Sequence, residues 1–201
     1  MALEESLISQ GYWPLCGVDE AGRGPLAGPV YAAAVIMEPG HELRPVVRDS
    51  KQLSPSQRED IFKELMASDT VHVAFSSVEA GTIDEINILQ ATLLAMRQAV
   101  LGLALEPRFA IIDGNAAPKL PCSCVTVVRG DELEPSISAA SIVAKVIRDR
   151  HMGEMDLLYP GYGFAQHKGY PTKAHFEAIR TLGVCPIHRR SFKGVCQVEQ
   201  G

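Results

Sequence analysis

The chain has 201 residues, 46% of them apolar, with five cysteines and a formal net charge of −5. This length favours one domain with a packed core, and the longest apolar run, residues 30–37, is too short to cross a membrane. An odd number of cysteines forms no paired disulfide framework, and Glu4 and Glu5 stand where a secretory signal needs basic residues, so we expect a cytoplasmic protein.

Apolar runs bounded by turn residues alternate with segments of helical periodicity along the chain. The runs predict β-strands at residues 17–20, 30–37, 71–78, 109–112 and 125–128. The periodic segments predict helices at residues 55–67, 82–103, 135–158 and 172–182. A short loop joins the first two strands, so these must pair antiparallel, whereas strands reached through helices are candidates for parallel pairing. The sequence therefore predicts an α/β domain with a mixed central sheet flanked by helices.

Local signals refine the predicted helices and one loop. Ser54 is predicted to cap the first helix, with Pro55 at its first position and Gln57 completing a capping box. Residues 38–48, with two prolines and a glycine, are predicted to form a loop. Six apolar residues of the second helix recur at steps of three and four and predict a core face: Ile86, Leu89, Leu93, Met96, Val100 and Leu103. Three polar side chains of the third helix are predicted to face solvent: Lys145, Arg148 and Asp149.

Carboxylates follow three of the predicted strands at the point where each ends. Asp19 and Glu20 end the first strand, Asp113 follows the fourth, and Asp131 follows the fifth. If these strands are parallel neighbours, their acids meet at one edge of the sheet, where open α/β sheets bind ligands. Converging acids repel one another unless a cation neutralises them, and an all-oxygen donor set favours Mg²⁺ or Mn²⁺ over zinc. Adjacent residues of a regular strand face opposite sides, so either the first strand ends between its two acids or one of them contributes through a different geometry.

The stretch at residues 17–28 places the first two acids beside a glycine-rich loop. Gly22 and Gly24 allow the backbone to approach a ligand closely, and Arg23 offers a planar fork for phosphate. Residues 141–201 carry a net charge of +4 and the preceding part carries −9, so an acidic part that could hold metal is followed by a basic part that could hold a polyanion. A metal-dependent site acting on a phosphodiester is one hypothesis, and a hairpin whose charges face water is the other.

Seven sequence blocks, spread over nearly the whole chain, carry a resemblance to a known family. They are residues 17–29 (GVDEAGRGPLAGP), 49–54 (DSKQLS), 83–89 (IDEINIL), 111–115 (IIDGN), 130–131 with 137–149 (ISAASIVAKVIRD), 163–172 (GFAQHKGYPT) and 188–192 (HRRSF). In this order they resemble bacterial ribonuclease HII, a type 2 ribonuclease H. The resemblance implies a single ribonuclease H-like catalytic domain at residues 1–201, in which about residues 160–201 form a small helical C-terminal extension involved in substrate binding.

The activity implied by this resemblance is endonucleolytic cleavage of RNA paired with DNA, including a single ribonucleotide embedded in duplex DNA. The cut is expected on the 5′ side of the ribonucleotide, leaving 3′-hydroxyl and 5′-phosphate ends, with two divalent ions, Mg²⁺ or Mn²⁺, as cofactors. The implied catalytic residues, which are also the implied metal ligands, are Asp19, Glu20, Asp113 and Asp131. The implied partner is an RNA/DNA hybrid or a DNA duplex with an embedded ribonucleotide. No association with a membrane is expected.

The resemblance also implies which residues bind the substrate. Gly22, Arg23 and Gly24 match the loop that senses the ribose 2′-hydroxyl and grips the adjacent phosphate. Tyr170 matches the tyrosine that packs on the sugar at the RNA–DNA junction, and Lys51 is a further expected phosphate contact.

Several of these positions leave alternatives open. Position 133, where many family members have lysine, holds a leucine, and the neighbouring Glu132 and Glu134 have no assigned role. Without the resemblance, Tyr170 would be interpreted as a core or turn aromatic with a satisfied hydroxyl. The basic run at residues 188–193 is either solvated or in contact with a phosphate backbone.

A zinc site and two rival functions are the remaining alternatives. Cys122 and Cys124 with Cys185 and His188 have a weak zinc-ligand spacing, for which buried thiols are the default interpretation. One rival is another two-metal nuclease of the same fold, such as a junction resolvase, which would not need the glycine loop together with the tyrosine. The other is a non-catalytic nucleic-acid-binding module, which would not need converging acids. No heptad or large apolar stripe demands a dimer, so we expect a monomer.

Overall fold

The computed structural model describes residues 3–47 and 53–195, and the predicted phosphate contact Lys51 lies outside them. The strands of the described part are β1 (Leu15–Ala21), β2 (Val30–Met37), β3 (Val71–Val78), β4 (Phe109–Asp113) and β5 (Ser123–Val127). Its helices are α1 (Leu3–Ser9), α2 (Leu43–Val47), α3 (Pro55–Ala67), α4 (Ala80–Leu101), α5 (Gly130–Leu133), α6 (Pro135–Leu158), α7 (Phe164–His167) and α8 (Lys173–Leu182).

The five strands form one mixed sheet in the order β3-β2-β1-β4-β5. β1 pairs antiparallel with β2 and parallel with β4, and β5 continues the parallel half beside β4. The predicted mixed sheet is therefore confirmed. The register pairs Val18 with Ile112, so the next row of the ladder brings Asp19 beside Asp113 at the edge where β1 and β4 end.

Helices cover both faces of the centre of the sheet, because β1 and β2 are buried on both sides. Alternate residues of β2 divide between two cores: Ala32, Ala34 and Ile36 pack with α4, whereas the residues between them pack with α2, α3 and α6. Gly17 allows α6 to begin directly against β1, since a Cβ there would lie 2.2 Å from the carbonyl carbon of Ser136. This close approach fixes α6 over the sheet edge that carries the acids.

The predicted cap of α3 is confirmed, whereas the prediction for α4 is partly wrong. Ser54 Oγ accepts a hydrogen bond from the Gln57 amide and the Gln57 side chain accepts one from the Ser54 amide, which is the expected capping box. α4 is broken at Asn87, whose φ of 66° is left-handed and whose side chain accepts from the amides of Leu89 and Gln90. The break rotates the helix face, so Leu89 is 40% exposed and does not lie in the core.

Two local predictions are overturned by short helices. The predicted loop at residues 38–48 contains α2, whose Leu43 and Val47 are buried against α6 and thereby offset its poor helix propensity. Asp131 does not end a strand but lies in α5, one turn of helix after β5. None of the helices in the described ranges combines the length and apolarity that a membrane span requires.

Candidate active site

Four carboxylates meet where β1 and β4 end and α5 begins. Asp19 is buried in β1, and its carboxylate accepts a hydrogen bond of 2.7 Å from the Glu20 amide. Asp113 ends β4, and its Oδ1 accepts a hydrogen bond of 3.3 Å from the amide of Asp131, which is also buried. The structure therefore brings all four predicted acids to one edge of the sheet, although they come from a strand interior, a strand end and a helix.

The two acids of β1 lie in a continuous strand. β1 runs through Ala21, so the alternative in which the strand ends between Asp19 and Glu20 is wrong. Glu20 turns toward Arg23, whose Nη1 donates to its Oε1 at 3.2 Å. The other oxygen of this carboxylate, Oε2, is buried and has no hydrogen-bond partner among the described residues.

Burial and mutual repulsion disfavour negative charge at this edge. Burial raises the pKa of Asp19 well above its ordinary value, and the charges of Glu20 and Asp113 raise it further. Burial also raises the pKa of Glu20, and Arg23 opposes part of that shift. A group of acids that destabilise one another's ionised forms is a property of catalytic and metal sites.

The donor set fits a hard divalent cation. It consists of carboxylate oxygens, it includes the orphaned Glu20 Oε2, and a cation would offset the repulsion between Asp19 and Asp113. Within residues 3–47 and 53–195, no three histidine, cysteine, aspartate or glutamate side chains already surround one point closely enough to hold a metal ion. The zinc alternative is not supported, because Cys122 packs against the core that contains α4, whereas Cys185 is a buried free thiol in a separate core with Met152 and Phe164.

A cleft of about 330 Å³ opens beside the acids. It is lined by two of the acids, the glycine loop, Tyr170 and residues of α3 and α6: Glu20, Ala21, Gly22, Arg23, Gly24, Arg58, Asp131, Ser141, Ile142, Lys145 and Tyr170. Arg58 and Lys145 were not predicted as site residues. Lys145 lies within one of the seven blocks, where the sequence predicts a solvent-facing side chain, and Arg58 carries no distinguishing sequence signal.

The two glycines of the loop have different roles. Gly22 has a φ of +96°, and a Cβ there would lie 2.0 Å from Nε of Arg148, so protein packing alone requires glycine. At Gly24 a Cβ would meet only Cε1 of Tyr170, at 3.7 Å, which is an ordinary contact. The interior of the protein leaves room for a side chain at residue 24, and only the cleft would be obstructed.

Tyr170 stands beside Gly24 at the mouth of the cleft. Tyr170 is 41% exposed, so the alternative of a core aromatic is wrong. Beneath it, the Tyr170 carbonyl accepts from His175 Nδ1 at 3.0 Å, and His175 Nε2 lies 3.1 Å from His188 Nε2. Burial lowers the pKa of His175 to about 4, so both rings are neutral in this network.

Two buried arginines hold the loop from below. Arg148 donates to the carbonyls of Ala27, Pro29 and Lys168, which ties the loop to the segment that carries Tyr170. Its predicted exposure is therefore wrong. Arg189 is also buried, so neither alternative for the basic run at residues 188–193 describes it, and the following amides, of Arg190 and Ser191, donate to Asp84.

The acids around position 133 have structural partners. Glu134 is buried, and its carboxylate accepts hydrogen bonds of 3.0 and 2.9 Å from the first two amides of α1, those of Leu3 and Glu4. Glu132 pairs with Arg129. Leu133 is exposed and apolar, so this position supplies no cation for a phosphate contact.

Comparison with known proteins gives close relatives over most of the chain. A family profile described as Ribonuclease HII matches residues 16–195. A ribonuclease HII from Geotalea uraniireducens is 55% identical over 192 residues, which cover 95% of this chain and 88% of the relative. One from Aliivibrio fischeri is 53% identical over 189 residues, which cover 94% of this chain and 90% of the relative.

Comparison with solved structures shows which proteins share the fold of this chain. The chain resembles ribonuclease H2 from Pyrococcus horikoshii with a TM-score of 0.76 and 28% identity, over 92% of this chain and 97% of the other. It also resembles Bst-RNase HIII in complex with Mn²⁺, with a TM-score of 0.71 and 19% identity over 92% of this chain and 69% of the other, which is a likeness of fold. The relatives above identify the chain as a metal-dependent endoribonuclease, and it belongs to the ribonuclease HII family.

Proposed function

We propose that this protein hydrolyses the RNA strand of RNA/DNA hybrids and cuts duplex DNA on the 5′ side of a single embedded ribonucleotide. The observation that carries the proposal is one cleft lined both by two of the four acids and by the glycine loop with Tyr170. The acids suit phosphodiester hydrolysis, and the loop and tyrosine suit recognition of a sugar next to the bond that breaks. A nuclease that does not distinguish ribose from deoxyribose would not need the glycine loop together with Tyr170.

We propose Asp19, Glu20, Asp113 and Asp131 as the holders of two divalent cations, Mg²⁺ or Mn²⁺. When bound, such ions supply a water of lowered pKa and positive charge beside the leaving 3′-oxygen. The four side chains contribute ligand oxygens and fixed negative charge, and Arg23 keeps Glu20 oriented through its 3.2 Å hydrogen bond. Hydrolysis in this geometry leaves a 3′-hydroxyl and a 5′-phosphate.

Recognition of RNA must operate through the 2′-hydroxyl, the one sugar group that DNA lacks. The absence of a side chain at Gly24 lets a sugar approach the backbone of the loop, and the exposed ring of Tyr170 offers an apolar surface 3.7 Å from the position of a Cβ at residue 24. Arg23, Arg58 and Lys145 add positive charge to the same cleft and are proposed contacts for phosphates of the duplex.

We propose that the chain works as one catalytic domain and as a monomer in the cytoplasm. Residues from about 160 onward act as a substrate-binding extension, because Tyr170 lines the cleft and Arg189 donates hydrogen bonds to carbonyls of the glycine loop. The four cysteines of the described part, those at positions 16, 122, 124 and 185, are free thiols, which suits a reducing compartment.

The chemistry of the product ends tests this proposal against its rivals. A labelled duplex with one ribonucleotide is cut in Mg²⁺ or Mn²⁺, and the products are offered to a DNA polymerase and to a phosphatase. Extension of the upstream fragment and removal of a 5′-phosphate from the downstream fragment are expected. Equal cutting of the all-DNA duplex would favour another nuclease of the same fold, and binding in chelator without any turnover in metal would favour a binding module.

A further inference from the structure

The side chain of Arg189 is fully buried and donates hydrogen bonds only to backbone carbonyls in the described structure. Its Nη2 donates to the carbonyl of Gly22 at 2.6 Å, its Nη1 to that of Arg23 at 2.9 Å, and its Nε to that of Gly28 at 2.9 Å. The amide of Arg189 also donates to the Leu26 carbonyl at 2.8 Å. One residue near the end of the described chain therefore fixes both ends of the glycine loop.

A guanidinium is a costly way to close a loop. In the part of the chain that the structure describes, no carboxylate forms an ion pair with Arg189. Burial and the charge of Arg148 lower the pKa of Arg189 to about 9, and the more distant charge of Asp84 opposes only part of that shift. A neutral side chain could satisfy one or two carbonyls at a smaller desolvation cost. The geometry of the loop, rather than stability alone, accounts for a buried charge at this position.

Because the peptide bond is planar, the hydrogen bonds that hold these carbonyl groups also fix the direction of the N–H group of the next residue. In a trans peptide the carbonyl of one residue and the N–H of the next point in opposite directions. With the Gly22 and Arg23 carbonyls held by Arg189, the N–H groups of Arg23 and Gly24 point away from it. Gly22, Arg23 and Gly24 line the cleft whereas Arg189 does not, so these amides face the cleft.

The amides are also available for a ligand. No described residue accepts a hydrogen bond from the amides of Gly22, Arg23 or Gly24, whereas the amides of Leu26 and Gly28, later in the same loop, donate to the carbonyls of Gly169 and Ile187. Among the described residues, the amides of Gly22, Arg23 and Gly24 are therefore free of protein acceptors in the part of the loop that borders the cleft.

We propose that Arg189 is a positioning residue for ribose recognition, which it serves by presenting the amides of Arg23 and Gly24 to the 2′-hydroxyl and the adjacent phosphate of a ribonucleotide. The proposal rests on the proposed function. It assigns Arg189 no contact with the substrate: the residue acts through the backbone of the loop.

The positioning role of Arg189 is tested by measuring how strongly the Arg189→Lys variant prefers a duplex with one ribonucleotide over the same duplex in all-DNA form. Lysine keeps the charge but lacks the planar fork, so it cannot hold the same carbonyls together. The KM for a duplex with one ribonucleotide is compared with the inhibition constant Ki of the same duplex in all-DNA form, and the ratio Ki/KM measures the preference. We expect the ratio to fall about tenfold, the weight of about one hydrogen bond, while Ki changes by less than about twofold.

The controls separate positioning from folding. Arg180→Gln, an exposed arginine on α8 that pairs only with Glu177 in the described structure, is expected to keep the wild-type ratio. A purely structural role for Arg189 would reduce the fraction of active enzyme, which lowers kcat and leaves Ki/KM unchanged, and that result in a folded Arg189→Lys protein overturns the proposal. A wild-type enzyme with no ribose preference would instead refute the proposed function.

Amide hydrogen exchange on the wild-type protein gives a test that no folding defect can obscure. In an excess of duplex and without divalent metal, the amides of Arg23 and Gly24 are expected to gain protection from the ribonucleotide-containing duplex and not from the all-DNA duplex. Equal protection by both duplexes, or protection by neither while the ribonucleotide-containing duplex is shown to be bound, overturns the proposal.

Discussion

Alanine substitutions at the two glycines of the loop separate substrate recognition from protein packing. In Gly24→Ala the new Cβ meets only the ring of Tyr170, at 3.7 Å, and residue 24 does not have a positive φ. We therefore expect the free energy of unfolding to change by less than about 1 kcal/mol. A methyl group on the cleft side of the loop should nevertheless displace the sugar and lower kcat/KM about 100-fold, as a misplacement of about 1 Å can.

Gly22→Ala should behave in the opposite manner. Its Cβ would lie 2.0 Å from Nε of Arg148, and its φ of +96° disfavours any side chain. The strain and the disturbed hydrogen bonds of Arg148 to three carbonyls should lower the free energy of unfolding by about 3 kcal/mol. Any loss of activity in this variant is therefore accompanied by a loss of stability, unlike that expected for Gly24→Ala.

Two measurements on each variant show whether the glycine is required for substrate recognition or for protein packing: urea unfolding, and single-turnover cleavage of a duplex with one ribonucleotide. A Gly24→Ala protein that is folded and cleaves at the wild-type rate would show that the sugar does not approach the loop. A Gly24→Ala protein as unstable as Gly22→Ala would refute the distinction between the two glycines.

Three further outcomes are expected. Asp19→Asn should unfold in chelator at a temperature no lower than that of the wild type, because it removes a repelled buried charge, and should lose the rise in Tm that Mg²⁺ or Mn²⁺ gives the wild type; a retained rise would show that the ion binds elsewhere. Glu134→Gln should lower the free energy of unfolding by about 1–2 kcal/mol in urea, since two amides of α1 lose a charged acceptor, and an unchanged value would contradict that role. Because His175 binds a proton near pH 6.5 when unfolded and only near pH 4 when folded, its contribution to the free energy of unfolding should fall by about 2–3 kcal/mol as pH decreases through that window. Urea unfolding at both ends should show a smaller loss of stability in His175→Gln than in the wild type, and an equal change in the two proteins would refute it.

Features with a local cause could be predicted from the sequence. The capping box at Ser54 depends on residues three positions apart, and the mixed sheet follows from the lengths of the connections between strands. The acids Asp19 and Asp113 could be predicted to meet, because residues at the ends of neighbouring parallel strands share an edge.

Features that depend on distant backbone could not be predicted. Arg148 and Arg189 look like solvent-facing charges in the sequence, because their partners are carbonyl groups, which leave no trace in a pattern of side chains. The break at Asn87 was hidden because apolar residues continue at helical spacing on both sides of it. α2 forms because Leu43 and Val47 find a core that the local sequence does not show.

The central claim is that one cleft combines metal-dependent hydrolysis with recognition of a ribose. Its most direct test is single-turnover cleavage of an end-labelled DNA duplex with one ribonucleotide, in Mg²⁺, in Mn²⁺ and in chelator, beside the all-DNA duplex and the Asp131→Asn protein. The account predicts one metal-dependent cut on the 5′ side of the ribonucleotide, which is absent from every control. No cut in either metal by folded wild-type protein, or an equal cut by Asp131→Asn, would contradict it.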